Sequence, residues 1–348
     1  MSIEEKFGQL FMVMVHSDAN EASQKKVADL IKEQHLGGVI FSTGGPVRQA
    51  KLTNEYQKLS KVPLLVAMDA EWGLAMRLDS TYAFPWNMTL GAIKDNAIVE
   101  KVGKRVGEHA KRLGVHINFA PDIDININPQ NPIIGNRSFG EDRENVAQKG
   151  IAYMKGLESV GVLSSGKHFP GHGDTATDSH HALPVIDFSR KRLDSIELYP
   201  YKRIISEGLS SVMVAHLEVP NLELIKGLPS SLSEQIITGV VIEEMGFQGL
   251  VFTDALNMKA LTENYSVEEV AVKALLAGHD LLLYGAHRYE DVEMLLTEMI
   301  PKAYSAIEKA VERGEITEEL LDAHVLKVLQ VKEDLRLHQE RLTPVRDD

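Results

Sequence analysis

Eight short runs of apolar residues recur along the 348-residue chain, and their number and spacing constrain its fold more than any other feature. The runs are rich in Val, Ile, Leu and Phe and are continuously apolar, as in parallel strands whose two faces are both covered. The predicted strands are residues 10–15, 38–42, 64–69, 115–121, 163–169, 211–217, 250–254 and 280–284.

Stretches with helical periodicity fill the intervals between these runs. The predicted helices include residues 46–60, 96–113, 144–160, 190–207, 233–245 and 267–277. A strand followed by a helix, repeated eight times, predicts a TIM-type (β/α)8 barrel. A doubly wound open sheet has similar local patterns, but no GxGxxG motif opens a helix after an early strand. The closed α/β barrel is therefore the favoured fold.

The chain is predicted to form a single domain over residues 1–348, since barrels of this class routinely exceed 250 residues. No Pro/Ser-rich linker or short-period repeat divides the sequence. Two further helical stretches, residues 289–313 and 317–341, follow the eighth strand. We expect this C-terminal extension, about 289–341, to pack against the barrel.

Composition excludes several classes of protein. The chain has 37 Lys and Arg against 50 Asp and Glu, a formal charge of −13, so nucleic acid is a disfavoured partner. It has no Cys, which excludes disulfides, thiolate nucleophiles and Cys-ligated zinc. No apolar run approaches the roughly 18 to 20 residues that cross a bilayer. The N-terminus lacks the features of a signal peptide, so a cytoplasmic location is expected, or a periplasmic or anchored one if a signal segment has been removed.

Ionisable side chains lie at the C-terminal ends of four of the predicted strands. Asp69 ends the third strand, Lys167 and His168 end the fifth, His216 ends the sixth and Asp254 ends the seventh. Any one of them could be a helix cap or a satisfied loop residue. In α/β barrels, however, the C-terminal ends of the strands meet at one face and carry the chemistry. The set therefore predicts an active site at that face.

The segment 167–184, KHFPGHGDTATDSHHALP, holds four of the thirteen His residues. Gly171 and Gly173 near its start allow backbone conformations that other residues rarely adopt. We therefore expect a mobile loop over the barrel mouth. Asp178 precedes His180 by two positions, and such a carboxylate can hold the imidazole tautomer and raise its proton affinity for general acid/base work. A loop ion pair is the structural alternative for this spacing.

A metal site is a second interpretation of the same segment, because His is the commonest metal ligand. Its ligands would be His168, His172, Asp174 and His180. Lys167 argues against this interpretation, since its ammonium group would lie beside the metal. We therefore expect neither a metal nor another cofactor.

Segment 167–184 resembles the signature of the family 3 glycoside hydrolases, in their β-N-acetylglucosaminidase branch. Five shorter motifs agree in order and extend the resemblance over about residues 4–335, with EEKFGQLFMV at 4–13, MDAEWGLAMR at 68–77, NPIIGNRSFGE at 131–141, VMVAHLEVP at 212–220 and FTDALNM at 252–258. The second motif departs from the commoner DQEGGRVxR pattern at Ala70, Trp72 and Leu74. The motif keeps Asp69, Glu71, Gly73 and Arg77, so the resemblance implies that the residues anchoring the sugar are retained while the neighbouring pocket wall differs.

The resemblance implies a retaining hydrolase of terminal β-linked N-acetylglucosamine. Asp254 matches the nucleophile, and His180, assisted by Asp178, matches the general acid/base. Carbohydrate is the implied partner, and a fragment of peptidoglycan or a muropeptide is the favoured substrate. The implied sugar-binding residues are Asp69, Arg77, Arg137, Lys167 and His168, with His216 and Met258 as lesser pocket positions.

Four alternatives stay open at this point. Transfer of the sugar to phosphate would make the chain a phosphorylase, and a neutral imidazole base would not repel that anion. Another β-glycosidase activity of the family is less favoured, because its β-glucosidases take their acid/base from a second domain. A metal-dependent barrel hydrolase would not depend on Asp254, and a non-catalytic sugar-binding barrel would be expected to lack Asp254 or His180.

Overall fold

The structure is a computed structural model that describes residues 1–176, 183–285 and 289–345. Within these residues the chain forms eight strands, each close to one of the predicted apolar runs. They are β1 (Phe11–His16), β2 (Gly38–Thr43), β3 (Leu65–Met68), β4 (Ile117–Asn118), β5 (Leu163–Phe169), β6 (Ser211–Val214), β7 (Leu250–Thr253) and β8 (Leu282–Tyr284).

The eight strands close into a parallel barrel. Neighbours follow the order β7-β6-β5-β4-β3-β2-β1-β8, and each of these pairs is parallel. The two ends of this order meet through a parallel bridge between Phe252 and Leu281. A further hydrogen bond of 2.9 Å runs from the Leu256 N–H to the Leu283 carbonyl. The predicted (β/α)8 fold is confirmed.

Helices follow the strands as the alternating pattern predicts, although several bounds differ. The α-helices are α1 (Ile3–Gln9), α2 (Glu21–Glu33), α3 (Pro46–Leu59), α4 (Asn87–Gly91), α5 (Asn96–Arg112), α6 (Arg143–Glu158), α7 (Arg190–Ser195), α8 (Tyr199–Ile205), α9 (Lys259–Thr262), α10 (Val267–Ala277), α11 (Tyr289–Met294), α12 (Ile300–Glu312) and α13 (Glu318–Asp334). Short 3-10 helices span Leu74–Met76, Gly135–Arg137 and Ser230–Leu232, and π-helices span Gln235–Glu244 and Leu295–Met299.

Two predictions were wrong: one predicted helix is divided in two, and one predicted strand is shorter than expected. The helix expected over 190–207 is divided into α7 and α8, with Pro200 in the first turn of α8, a position where its missing N–H is tolerated. The strand expected over 115–121 pairs only at Ile117–Asn118. Its Asn118 side chain instead exchanges hydrogen bonds of 3.0 and 3.1 Å with the backbone of Ala70.

Alternate strand residues fill the barrel interior. One buried cluster contains Met12, Ile40, Ala67, Phe119 and Phe252. The two Phe rings meet edge to face at a centroid distance of 5.1 Å. This apolar filling ends where the strands reach their C-terminal ends. The polar groups beyond it are therefore presented at the barrel mouth.

Helix α13 closes the opposite end of the barrel. His324 and Lys327 lie 2.9 and 2.7 Å from the carboxylate of Asp280, just before β8. The Lys332 ammonium donates to Gln9, just before β1, at 2.6 Å. The C-terminal extension thus packs against the barrel, while a single domain over 1–348 stays a prediction. No helix in the described ranges is long and apolar enough to cross a membrane.

Candidate active site

The candidate site lies at the C-terminal ends of β3 to β7, which are consecutive neighbours around the barrel. Asp69 and Glu71 follow β3, whereas Lys167 belongs to β5. Asp254 follows β7 directly. Because parallel strands end at the same edge, residues far apart in sequence form one polar layer over the apolar interior.

Asp69 is held by two cations. Its Oδ1 accepts a hydrogen bond of 2.8 Å from Lys167, and its Oδ2 accepts one of 2.5 Å from Arg77. The Arg77 side chain comes from the turn after the 3-10 helix Leu74–Met76, eight residues after Asp69. The loop after β3 therefore supplies both an acid and one of its counterions.

Glu71 forms the second acidic group of the site and is completely buried. Arg137 donates to it through Nε and Nη2 at 3.0 and 2.7 Å. These two hydrogen bonds fix the orientation of the guanidinium group relative to the carboxylate. Lys167 lies between the two acids, with its ammonium 2.9 Å from Glu71 and 2.8 Å from Asp69. Two carboxylates and three cations thus form one connected network under the barrel mouth.

The network keeps its members ionised. Burial alone would raise the pKa of Asp69, but the charges of Lys167 and Arg77 outweigh burial and hold that pKa below its ordinary value. The same opposition, with Arg137 and Lys167 as the cations, lowers the pKa of Glu71 to about 2. Burial would lower the pKa of Lys167, yet Asp69 and Glu71 raise it above its ordinary value. These groups therefore stay charged at neutral pH.

His168 connects this network to the buried carboxylate of Asp124. Its Nδ1 lies 2.7 Å from Asp124 and its Nε2 lies 3.1 Å from Nη2 of Arg137. A guanidinium group can only donate, so Nε2 must accept and Nδ1 must carry the proton that Asp124 accepts. Both ring nitrogens are thereby engaged, and Nη2 of Arg137 donates to both Glu71 and His168.

Asp122 and Asp124 follow β4 and are both buried. Asp124 accepts backbone N–H groups from His168 at 3.1 Å and from His172 at 2.6 Å. Burial raises the pKa of Asp124, but the hydrogen bonds that it accepts from His168 and His172 lower it overall. Asp122 differs, because burial and the neighbouring Asp124 raise its pKa well above the ordinary value. Its Oδ2 has no hydrogen-bond partner within the described residues and lies 3.7 Å from Nε of Arg137.

Replacing Asp122 by Asn is expected to raise the free energy of unfolding, and the gain over the wild type should increase with pH. A carboxyl whose folded pKa is raised contributes full stability below its unfolded value, here 3.8, and loses it as pH rises through the folded pKa. Each unit of that shift is worth about 1.4 kcal/mol at high pH. Urea unfolding of both proteins at pH 4.5 and pH 8 measures the difference. The exposed Asp79→Asn change is the control, and an Asp122→Asn variant less stable than the wild type at both pH values would contradict the expectation.

Asp254 lies at the same mouth and is half-buried. Its backbone N–H donates to the Val214 carbonyl at the end of β6, at 2.9 Å, and its Oδ1 accepts from the Ala255 N–H at 2.7 Å. Its charge also acts on His172, whose pKa burial lowers to about 4. Asp254 is therefore fixed by backbone contacts and lies within electrostatic range of the loop after β5.

His216 and Met258 lie behind Asp254. The His216 ring is buried, with Nδ1 2.7 Å from the Ser231 hydroxyl and Nε2 2.9 Å from the Ala255 carbonyl. Met258 precedes α9 and its N–H donates to the same Ala255 carbonyl at 3.1 Å. Both residues hold the turn that carries Asp254.

The predicted acid/base pair, Asp178 and His180, lies outside the described residues. The structure does bring together Asp69, Arg77, Arg137, Lys167 and His168, to which the family resemblance had assigned sugar binding. Lys167 and Arg137 are not surface ion pairs, since 2% and 19% of their side chains are exposed. Their roles toward a sugar stay predictions.

The metal interpretation fits the described residues poorly. One possible ligand cluster there, Asp122, Asp124 and His168, has its ligand atoms within 4.8 Å of one another. Nε of Arg137 lies 3.7 Å from Oδ2 of Asp122, so a guanidinium charge would lie beside an ion bound there. Of the ligands first considered, Asp174 pairs with Arg192 at 3.2 Å and Nδ1 of His172 lies 2.7 Å from Thr175.

Three buried acids of the site were missed by the sequence analysis: Glu71, Asp122 and Asp124. Asp122 comes directly after the predicted strand 115–121, so the rule that selected the other strand ends applies to it equally. Glu71 does not end a strand, but it keeps the Glu of the DQEGGRVxR pattern, and this match is the signal that could have found it. Its partner Arg137 lies 66 residues away and meets it only in the folded chain.

Comparison with known proteins adds a separate line of information. Residues 2–331 match the family described as the glycosyl hydrolase family 3 N terminal domain. Beta-hexosaminidase A of Pseudoalteromonas piscicida is 32% identical over 335 residues, which are 89% of this chain and 55% of that protein. The chain thus spans only about half the length of this curated relative.

Two solved structures share the fold across nearly all of the chain. A glycoside hydrolase family 3 beta-N-acetylglucosaminidase from Paenibacillus sp. str. FPU-7 is 38% identical with a TM-score of 0.88, covering 100% of this chain and 66% of that one. A beta-glucoside phosphorylase is 27% identical with a TM-score of 0.89, covering 100% of this chain and 60% of that one.

Proposed function

The chain belongs to glycosyl hydrolase family 3, and from this we propose that it is a retaining β-N-acetylglucosaminidase that releases terminal β-linked N-acetylglucosamine. The observation that carries the proposal is the buried network of Asp69, Glu71, Arg137 and Lys167 at the same barrel mouth as Asp254. It offers ionised, preorganised groups for sugar hydroxyls beside a half-buried carboxylate.

In this mechanism Asp254 attacks the anomeric carbon and forms a glycosyl-enzyme intermediate while the leaving oxygen is protonated. The backbone contacts of Asp254 support its role, because they fix the carboxylate while leaving it half-exposed to a substrate. We assign the proton transfers to His180, oriented by Asp178, and water activated by His180 completes the turnover.

The charged network has a distinct part in this mechanism. Asp69 is proposed to accept sugar hydroxyls, while Arg77 and Lys167 keep it ionised and in place. A substrate lacking those hydroxyls would displace water from Asp69 without replacing its hydrogen bonds, which costs affinity. The network thus contributes specificity for the terminal sugar and its orientation toward Asp254.

Phosphorolysis is the second candidate, and similarity to a beta-glucoside phosphorylase favours keeping it. The two candidates share the glycosyl-enzyme and differ only in whether water or phosphate accepts the sugar. For the natural substrate we propose a muropeptide fragment with N-acetylglucosamine linked to anhydro-N-acetylmuramic acid, with chitin oligosaccharides as the alternative.

Release of 4-nitrophenol from its β-N-acetylglucosaminide and its β-glucoside tests the proposal. We expect turnover of the first substrate, little of the second, no requirement for phosphate and no loss with EDTA. Formation of N-acetylglucosamine 1-phosphate on adding phosphate would replace hydrolysis by phosphorolysis. Activity that disappears with EDTA, or occurs only on the glucoside, would contradict the proposal.

A further inference from the structure

The two tryptophans of the chain pack against each other in the loop after β3, next to residues of the candidate site. Trp72 and Trp86 have ring centroids 4.0 Å apart with planes inclined by 40°. Trp72 directly follows Glu71, whose carboxylate is bound by Lys167 and Arg137. The pair is called the aromatic platform below, and it occupies the loop after β3, at the end of the barrel that holds the charged network.

Both tryptophans of the aromatic platform are connected to the charged network. Trp86 precedes Asn87, which is buried and donates a hydrogen bond of 2.7 Å to the Arg137 carbonyl. The Trp72 carbonyl accepts from the Phe84 N–H at 2.9 Å, which joins the two arms of the loop. The indoles are therefore positioned by residues that also position Glu71 and Arg137.

Packing of the barrel does not account for these two rings. Phe84, between them in sequence, packs against the main apolar core, but neither indole belongs to an apolar core cluster in the described part of the chain. Trp86 is 43% exposed. Rigid aromatic side chains that remain exposed beside a polar pocket are typical of ligand sites, where they bury apolar area at low entropic cost.

The geometry points to the aromatic platform as the subsite for the leaving-group sugar, where a second pyranose ring packs its apolar C–H face against the indole of Trp86, backed by Trp72. This inference rests on the proposed function. In the proposed function the charged network binds the hydroxyls of the terminal sugar. The platform adjoins that network, because Trp72 follows Glu71 and Trp86 precedes Asn87, which binds the Arg137 carbonyl. A substrate with a pyranose leaving group is then bound more tightly than one with a small alkyl group.

Kinetics on two substrates test this subsite. Trp86→Ala is expected to lower the ratio of kcat/KM for N,N′-diacetylchitobiose over methyl β-N-acetylglucosaminide about tenfold, which corresponds to about 1.4 kcal/mol. The loss should fall mainly on KM, because the contact is present in the ground state as well. Trp86→Phe should restore most of the ratio. Tyr82→Ala, which removes an exposed aromatic ring from the same loop, is the matched control.

Fluorescence provides a readout that does not need turnover. All tryptophan emission of the protein comes from the aromatic platform. In Asp254→Asn protein, N,N′-diacetylchitobiose should change this emission saturably, whereas N-acetylglucosamine at the same concentration should not. Disaccharide binding seen by calorimetry without an emission change, or an unaltered substrate ratio in Trp86→Ala, would overturn the subsite alone. Failure of the wild type to cleave either substrate would overturn the proposed function and the subsite with it.

Discussion

Replacing Asp254 by Asn is expected to reduce hydrolysis of 4-nitrophenyl β-N-acetylglucosaminide by about 10⁴-fold or more, the order of loss seen when a nucleophile is removed. Asn cannot form the glycosyl-enzyme, but its side-chain oxygen can still accept from the Ala255 N–H. The fold should therefore survive, with an unchanged thermal unfolding midpoint. The exposed Asp187→Asn change is the matched control and should leave turnover within about twofold, as expected for a surface substitution.

Azide distinguishes a nucleophile from other essential groups. In Asp254→Ala protein, azide has room to attack the anomeric carbon on the face that the carboxylate used, releasing 4-nitrophenolate and giving the α-glycosyl azide. In His180→Ala protein, azide would instead attack the glycosyl-enzyme and give the β-azide. The anomer formed by each variant is measured by NMR. An α-azide from the His180 variant, or turnover by Asp254→Asn near the wild-type rate, would contradict the assignment.

The barrel could be predicted because its signal is local. Each strand of a parallel barrel is buried on both faces, so it appears in the sequence as an uninterrupted apolar run. Strand β5 spans Leu163–Phe169, as predicted. Strand β4 was overestimated, since Asn118 uses its side chain to bind the loop after β3 and the apolar character continues beyond the pairing. The division between α7 and α8 had a visible signal in Pro200.

The site was only partly predictable, for a physical reason. The strand-end rule locates Asp69, Lys167 and Asp254 without reference to any partner. The ion pair of Glu71 with Arg137 depends on how the loops after β3 and β4 fold back over the mouth, and no local pattern encodes it. The orientation of His168, fixed by an arginine on one nitrogen and an aspartate on the other, likewise exists only in the folded chain.

Lys167→Met is expected to lower the free energy of unfolding at pH 7.5 by about 3–5 kcal/mol, the usual cost of breaking a buried ion pair by removing one partner. Lys167 is 2% exposed and is the one cation that contacts both Asp69 and Glu71 among the described residues. Methionine fills a similar volume, so lost packing contributes little. The matched control is Lys155→Met, which breaks an exposed pair with Glu207 and should cost at most about 1 kcal/mol.

The pH dependence of this loss separates electrostatics from packing. In the wild type, the lowered pKa values of Asp69 and Glu71 give stability that is present above their unfolded values of 3.8 and 4.5 and is lost as pH falls. Removing Lys167 takes away one of the two cations that oppose burial at each acid, so both folded pKa values rise and the variant is penalised chiefly as pH rises through them. The difference between the two proteins should therefore shrink from pH 7.5 to pH 4.5 in urea unfolding. A difference that stays constant across this range would mean that Lys167 stabilises the site through packing instead of charge.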